Sequence, residues 1–269
     1  MDDNTPPAER ATAHERAALQ HLQAGLVDLD KAIEAAASEQ EKGDLIARRF
    51  QIERRLTDPF LWSSQAGQDR WLAETLFKNL TGGVFVEVGA YDGLTGSNTL
   101  FFERYKGWSG LLVEPSPHWA AVARSHRKAT CIECAVGGRP GSATFMEVTK
   151  GYTQMGGLTG SYDPGLKSRV ESDPRFEGRE LSVAVRLLAD ILAEHGLRAI
   201  DYLSLDIEGA EVEVLTSFPF TDFDIKAWSI ENNTNTGAIS KVMSEAGYAF
   251  AGRIGVDEMW VHGKYVTPS

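Results

Sequence analysis

Hydrophobic residues near the start of the chain recur at helical spacing. Leu19, Leu22, Leu26, Leu29, Ile33 and Ala36 alternate intervals of three and four, an a/d seam a little over two heptads long. The seam predicts one helix, weakened by Gly25 by about 1 kcal/mol relative to Ala. A second helix is expected from near Ser38 to Leu56, with Leu45, Ile52 and Leu56 inward and Thr57-Asp58-Pro59 as its stop signal. Residues 1–57 therefore read as a helical hairpin. Two roles fit it: dimerisation, or a cap packed on the rest of the chain.

From Phe60 onward the pattern alternates. Apolar runs of strand length fall at 84–88, 110–114, 129–136, 200–205 and 225–231. Amphipathic helical stretches fall at 70–80, 98–105, 117–125, 187–195, 210–217 and 238–246. This rhythm predicts an α/β fold, a mainly parallel sheet with helices on both faces. Two last strands, 248–252 and 258–262, are joined by a link too short for a crossover, so they should be antiparallel. A strand at 143–148 reads as the hairpin partner of 129–136. Residues 149–179 break the rhythm, being polar and punctuated by glycine and proline. A stretch of this kind is a substrate-facing lid or a tolerated surface insertion.

Composition narrows the function classes. The chain has 269 residues, 42% hydrophobic and 24% charged, with a formal charge of −11. That balance disfavours nucleic acid as a partner, because phosphate binding needs a basic face. The N-terminus lacks the basic and apolar regions of a signal peptide, and no run is long enough for a membrane span, so a cytoplasmic protein is expected. The two cysteines, Cys131 and Cys134, lack a second pair that would complete a zinc site, and read as small residues in a sheet.

Chemistry concentrates where strands end. Val84–Val88 runs into Gly89-Ala90, Asp92-Gly93 and then Ser97-Asn98-Thr99 at a helix start. A strand entering a glycine turn before a helix lets a ligand approach the backbone. Glu114, closing the next strand with Pro115 after it, is placed to bind ribose hydroxyls. The loop lacks the three spaced glycines of a dinucleotide fingerprint, which argues against a nucleotide-dependent dehydrogenase. The acids Glu87 and Asp92 would repel a pyrophosphate but suit the sulfonium and ammonium of S-adenosylmethionine. Asp206 and Glu208 end the fourth strand, and Glu231 and Asn232 end the fifth. Asp206, Glu231 and Asn232 form a hard oxygen set suited to magnesium. Alternatively, Asp206 caps the following helix without any metal. Methyl transfer to a hydroxyl needs a base. Glu208 is the first candidate, Glu211 the second and His262 the third. Trp62, Tyr152, Tyr162 and Trp228 are candidates to stack on sugar rings.

The segments GQDRWLAETLF, FVEVGAYDGLTGSNT, GLLVEPSP, YLSLDIEGAEVEVL and WSIENN together resemble the FkbM-type class I methyltransferases, over roughly Ser64 to His262. The resemblance implies a Rossmann-like fold with a seven-stranded, mainly parallel sheet, here preceded by the helical hairpin. It implies S-adenosylmethionine as methyl donor, and O-methylation of sugars, glycans or other secondary metabolites. It places Glu87, Gly89, Ala90, Asp92, Ser97 and Asn98 in the cofactor loop, Glu114 and Pro115 at the ribose, and Glu133, Cys134 and Ala135 beside the adenine. Asp206 and Glu231 match acids that metal-dependent O-methyltransferases similar in plan use, and Asn232 stands where an acid is also common. The methyltransferase domain is then 58–269, with the lid at 149–179. The partners expected are a small-molecule or glycan acceptor and a second copy bound through the N-terminal helices. The competing reading is a non-catalytic module working through its hairpin.

Overall fold

The computed structural model describes the backbone of residues 7–56 and 61–266, and side chains from residue 16 on except 55. The stop signal Thr57-Asp58-Pro59, and the domain boundary placed there, lie outside the described residues. Two helices lead, α1 (Pro7–Ala35) and α2 (Glu39–Leu56). The seam is real but graded: Leu29 is buried, Leu22, Leu26, Ile33 and Ala36 are half-buried, and Leu19 is exposed. Arg49 ties the helices together by pairing with Asp30.

Leu45, Ile52 and Leu56 are half-buried, and a second face of α2 meets the rest of the chain. Phe50, buried at 4% exposure, lies against Gly67. The Gly43 carbonyl accepts the Gly255 N–H at 3.0 Å. A Cβ at Gly43 would sit 2.9 Å from the Gly255 carbonyl, so only glycine permits this approach. Glu53 pairs with Arg70. The hairpin thus packs on the remainder of the chain through α2. Among the described residues no helix is long and apolar enough to cross a membrane.

The chain continues as α3 (Gln68–Thr75), β1 (Val84–Val88), α4 (Leu100–Lys106), β2 (Ser109–Val113), α5 (Pro117–His126) and β3 (Thr130–Ile132). Next come β4 (Ala135–Val136), β5 (Gly141–Lys150), β6 (Gly157–Leu158), α6 (Pro164–Glu171) and β7 (Glu177–Arg186). Then follow α7 (Leu188–Glu194), β8 (Ala199–Leu205), α8 (Glu211–Ser217), β9 (Asp224–Glu231), α9 (Ala238–Glu245), β10 (Tyr248–Ile254) and β11 (Asp257–His262). Seven strands form one sheet in the order β10-β11-β9-β8-β1-β2-β3. All pairs are parallel except those made by β11, which confirms the antiparallel final hairpin.

Strand alternation sends side chains to two cores. Val86, Val88, Leu203 and Leu205 pack with α7, α8 and α9 on one face. Phe85, Leu112 and Tyr202 pack with α3, α4 and α5 on the other. The chain runs outward from β1 to β3 and returns at β8 beside β1. That reversal opens a crevice at the C-terminal strand ends.

Two expectations need correction. The stretch 129–136 is not one strand paired with 143–148. β3 joins the large sheet, and β4 pairs parallel with β7 in a second sheet, ordered β4-β7-β5-β6. The partner of β5 is β7, antiparallel. Residues 149–179 are also more ordered than a loop, holding β6, α6 and the start of β7. β7 escaped the pattern because its first half is exposed and carries polar residues.

Candidate functional site

A cavity of ≈ 330 Å³ occupies the crevice, lined from β1, β2, β8 and β9, from the second sheet and from two flanking segments. Glu87, Gly89, Ala90, Ser97, Asn98, Glu114, Pro115, Cys134, Ala135, Asp206, Glu208 and Glu231 all line it. These residues come from widely separated parts of the chain, and the strand ends bring them together.

Glu114 stands at the end of β2 with both carboxylate oxygens held. Oε2 accepts the Tyr91 N–H at 2.8 Å and Oε1 accepts the Ser116 N–H at 2.8 Å. Burial pushes its pKa up to about 8, against the lowering effect of those two hydrogen bonds. Glu87 faces the cavity, but its carboxylate organises the loop. It accepts from Ser97 Oγ at 2.8 Å, the Asn98 N–H at 2.7 Å and Thr99 Oγ1 at 2.6 Å. This is why α4 starts at Leu100 rather than at Asn98. Cys131 and Cys134 are buried free thiols.

The second sheet closes the other side. Glu147 of β5 lines the cavity and bonds both Ser116 and Arg179. Tyr91, whose φ of 47° is strained for a residue with a Cβ, bonds Thr153 through its hydroxyl at 2.7 Å. Its ring also meets Trp119, centroids 4.2 Å apart. Tyr91, Trp119, Glu147 and Thr153 were missed from sequence, because their roles depend on where the second sheet docks.

At the opposite end, one oxygen from each of Asp206, Glu208 and Glu231 falls within 4.8 Å of the others. Glu208 takes a strained φ of 63°, and its carbonyl accepts the Asp163 N–H at 3.1 Å. Burial, then the neighbouring charges of Asp257 and Glu211, push Asp206 up to about 8. Glu208 and Glu231 rise for the same reasons, burial first and Asp206 second. Asp257 also lines the cavity, and burial pushes it up to about 6. Three acceptor atoms here are buried without a partner: Asn98 Oδ1, Glu208 Oε2 and Glu231 Oε2.

Several candidates sit elsewhere. Asp92 does not line the cavity; its Oδ1 closes a turn on the N–H groups of Leu94 and Thr95, at 2.8 and 2.7 Å. Glu133 is exposed and paired with Arg124. Glu211 accepts the N–H groups of Ile207 at 2.9 Å and Gly209 at 3.1 Å, tying the loop before α8 rather than facing a ligand. Asn232 is spent on Glu258, at 2.6 Å, and on the Asn235 N–H, so the acid cluster takes Glu208 in its place. His262 accepts from the Lys264 N–H and packs on Tyr248. Trp62, Tyr152, Tyr162 and Trp228 do not line the cavity; Trp228 is fully buried in the core and Trp62 packs on Phe101.

Comparison with known proteins adds one firm result. Residues 87–250, more than half of the chain, match the model of the methyltransferase FkbM domain. Among solved structures, methyltransferase FkbM from Methylobacillus flagellatus KT is 12% identical with a TM-score of 0.47, covering 89% of this chain and 60% of that one. The N-terminal domain of human METTL16 in complex with SAH is 10% identical, TM-score 0.40, covering 84% of each chain. A TehB-like SAM-dependent methyltransferase from Corynebacterium glutamicum is 9% identical, TM-score 0.38, covering 80% of this chain and 93% of that one. This chain thus spans less than two thirds of the M. flagellatus protein, and likenesses this distant carry no functional argument. No curated protein matches. Through residues 87–250, the chain belongs to the FkbM methyltransferase family.

Proposed function

We propose that this protein transfers the methyl group of S-adenosylmethionine to a hydroxyl of a sugar, a glycan or a glycosylated secondary metabolite. One observation carries the reading. Asn98 Oδ1, Glu208 Oε2 and Glu231 Oε2 are buried acceptors without donors, in one cavity with the Glu114 carboxylate. A buried acceptor left unpaired is costly, so the cavity fits a ligand rich in donors and positive charge. S-adenosylmethionine supplies a ribose diol, an ammonium and a sulfonium. In this reading Glu114 binds the diol. The apolar end at Tyr91, Trp119 and Phe145 takes the adenine, and the unpaired Asn98 Oδ1 takes the ammonium of the methionine part.

The acid trio also fits a divalent cation of the magnesium class, held by Asp206, Glu208 and Glu231. Bound there, the ion would lower the pKa of an acceptor hydroxyl. In this reading Glu208, the first candidate base, takes the proton that the hydroxyl loses. Calorimetry with S-adenosylmethionine and with NAD, followed by release of S-adenosylhomocysteine in the presence of sugar acceptors, tests the reading. Binding of NAD in preference to S-adenosylmethionine rejects it.

A further inference from the structure

The acidic end of the cavity is completed by segments outside the family-matched region. Gln65, Ala66 and Gln68 precede it, and Gly255, Val256 and Asp257 follow it. Both segments are braced from behind by α2. Gln51 Nε2 donates to the Gln65 carbonyl, and the Gly43 carbonyl accepts the Gly255 N–H. That backing from α2 holds the wall in place.

Its charge is one-sided. Asp206, Glu208, Glu231 and Asp257 line this end, and among the described residues no Lys, Arg or His lines any part of the cavity. The buried guanidinium of Arg253 favours the charged form of Asp257 but does not line the cavity; it lies 3.6 Å from Glu258 Oε1 and donates to the Asn232 carbonyl at 2.8 Å. Asp257 is 4% exposed and held in place: Gln68 Nε2 donates to its Oδ2 at 3.0 Å. The Gln68 Oε1 accepts the Ala66 N–H at 3.1 Å, which fixes the direction of the amide. Directly opposite Asp257 in the strand register is Glu231. Glu231 is 8% exposed, and its Oε2 has no partner. A divalent ion on the trio would displace the protons its acids hold and offset two of the four negative charges then present, and the end would stay anionic.

Resting on the methyl-transfer reading, we infer that this end is a subsite for an amine-bearing polyhydroxyl acceptor of the amino-sugar class, with its ammonium seated between Asp257 and Glu231. Anionic acceptors meet a lining without Lys, Arg or His that stays net negative even with the ion bound, and are disfavoured. Gln65 and Thr95 supply neutral hydrogen-bonding groups for hydroxyls.

Saturation-transfer NMR on the full chain, in magnesium buffer and saturated with S-adenosylhomocysteine, tests this without turnover. Glucosamine, glucose and glucuronate are the probes. Glucosamine should bind about tenfold or more tightly than glucuronate, with glucose between. Asp257→Asn, which keeps an oxygen for Gln68, should remove that preference, and its calorimetric affinity for S-adenosylhomocysteine reports whether the site is intact. The wild-type comparison decides alone if the variant fails to fold. No saturation of glucosamine, or glucuronate binding as well as glucosamine, overturns the subsite. Failure to bind S-adenosylhomocysteine at all would instead overturn the methyl-transfer reading, and the subsite with it.

Discussion

Gly89 lies so close to Asp206 that a Cβ placed on it would fall 1.8 Å from the Asp206 carbonyl oxygen. The two residues end neighbouring parallel strands, and the Asp206 N–H in turn donates to the Val88 carbonyl at 3.1 Å. The loop after β1 and the acid cluster therefore share one wall. Gly89 also has a φ of +90°, which a side chain resists. Gly89→Ala should destabilise the fold by more than about 1 kcal/mol in denaturant titrations, and should weaken S-adenosylmethionine and metal binding together. Loss of only one of the two would show that the wall is not shared.

Glu114→Ala should weaken S-adenosylmethionine binding by about 1.5–3 kcal/mol, as for loss of a hydrogen bond to a charged group. Asp92→Asn should leave affinity nearly unchanged, because Asn keeps the oxygen that closes the turn. Calorimetry on both variants separates a residue that touches the cofactor from one that shapes the loop.

Ligand-free protein should lose stability as pH rises. Glu114 has a folded pKa of about 8 and Asp257 one of about 6, both above ordinary carboxylate values. The folded state then holds protons that the unfolded chain releases. Its advantage is complete below the unfolded pKa and is lost as pH climbs through 6 and 8. Melting temperature should fall over that window, and Glu114→Gln should flatten the upper part of the slope. A melting temperature rising across it would contradict the protonation of these acids.

Magnesium should raise the melting temperature of the wild type, and Glu208→Gln or Glu231→Gln should abolish the shift. Asn232→Ala should retain it, because Asn232 is turned to Glu258. Activity should fall in chelator and return with magnesium, and Asp206→Ala should remove turnover while most cofactor affinity remains. Full activity in chelator together with no thermal shift would reject the ion.

The hairpin makes two separable predictions. Phe50→Ala should cost about 3–5 kcal/mol, as for a buried aromatic truncated in a core, measured by urea unfolding. Leu19 and Val27 are exposed on α1, at 44% and 54%. If α1 pairs with a second copy, Leu19→Glu with Val27→Glu should halve the mass seen by light scattering. A wild-type monomer removes the dimer and leaves the hairpin as a cap.

Much of this molecule is written locally. The β-forming run Val84–Val88, the glycine turn after it and the acid closing β2 could be read in order. A strand period and a φ above zero are demands made on adjacent residues. The alternation of strands and helices likewise predicted a parallel sheet with two covered faces. Long-range placement could not be read this way. The sequence alone could not say that β5 pairs with β7, because that register depends on a return after a long insertion. Nor could it turn Asn232 away from the acid cluster; that followed from Glu258 taking the amide. Gln68 and Asp257 lie 189 residues apart, and each by itself reads as an ordinary polar residue. Only folding brings the amide to the carboxylate and buries both, and that desolvation is what sets the pair apart from two surface residues.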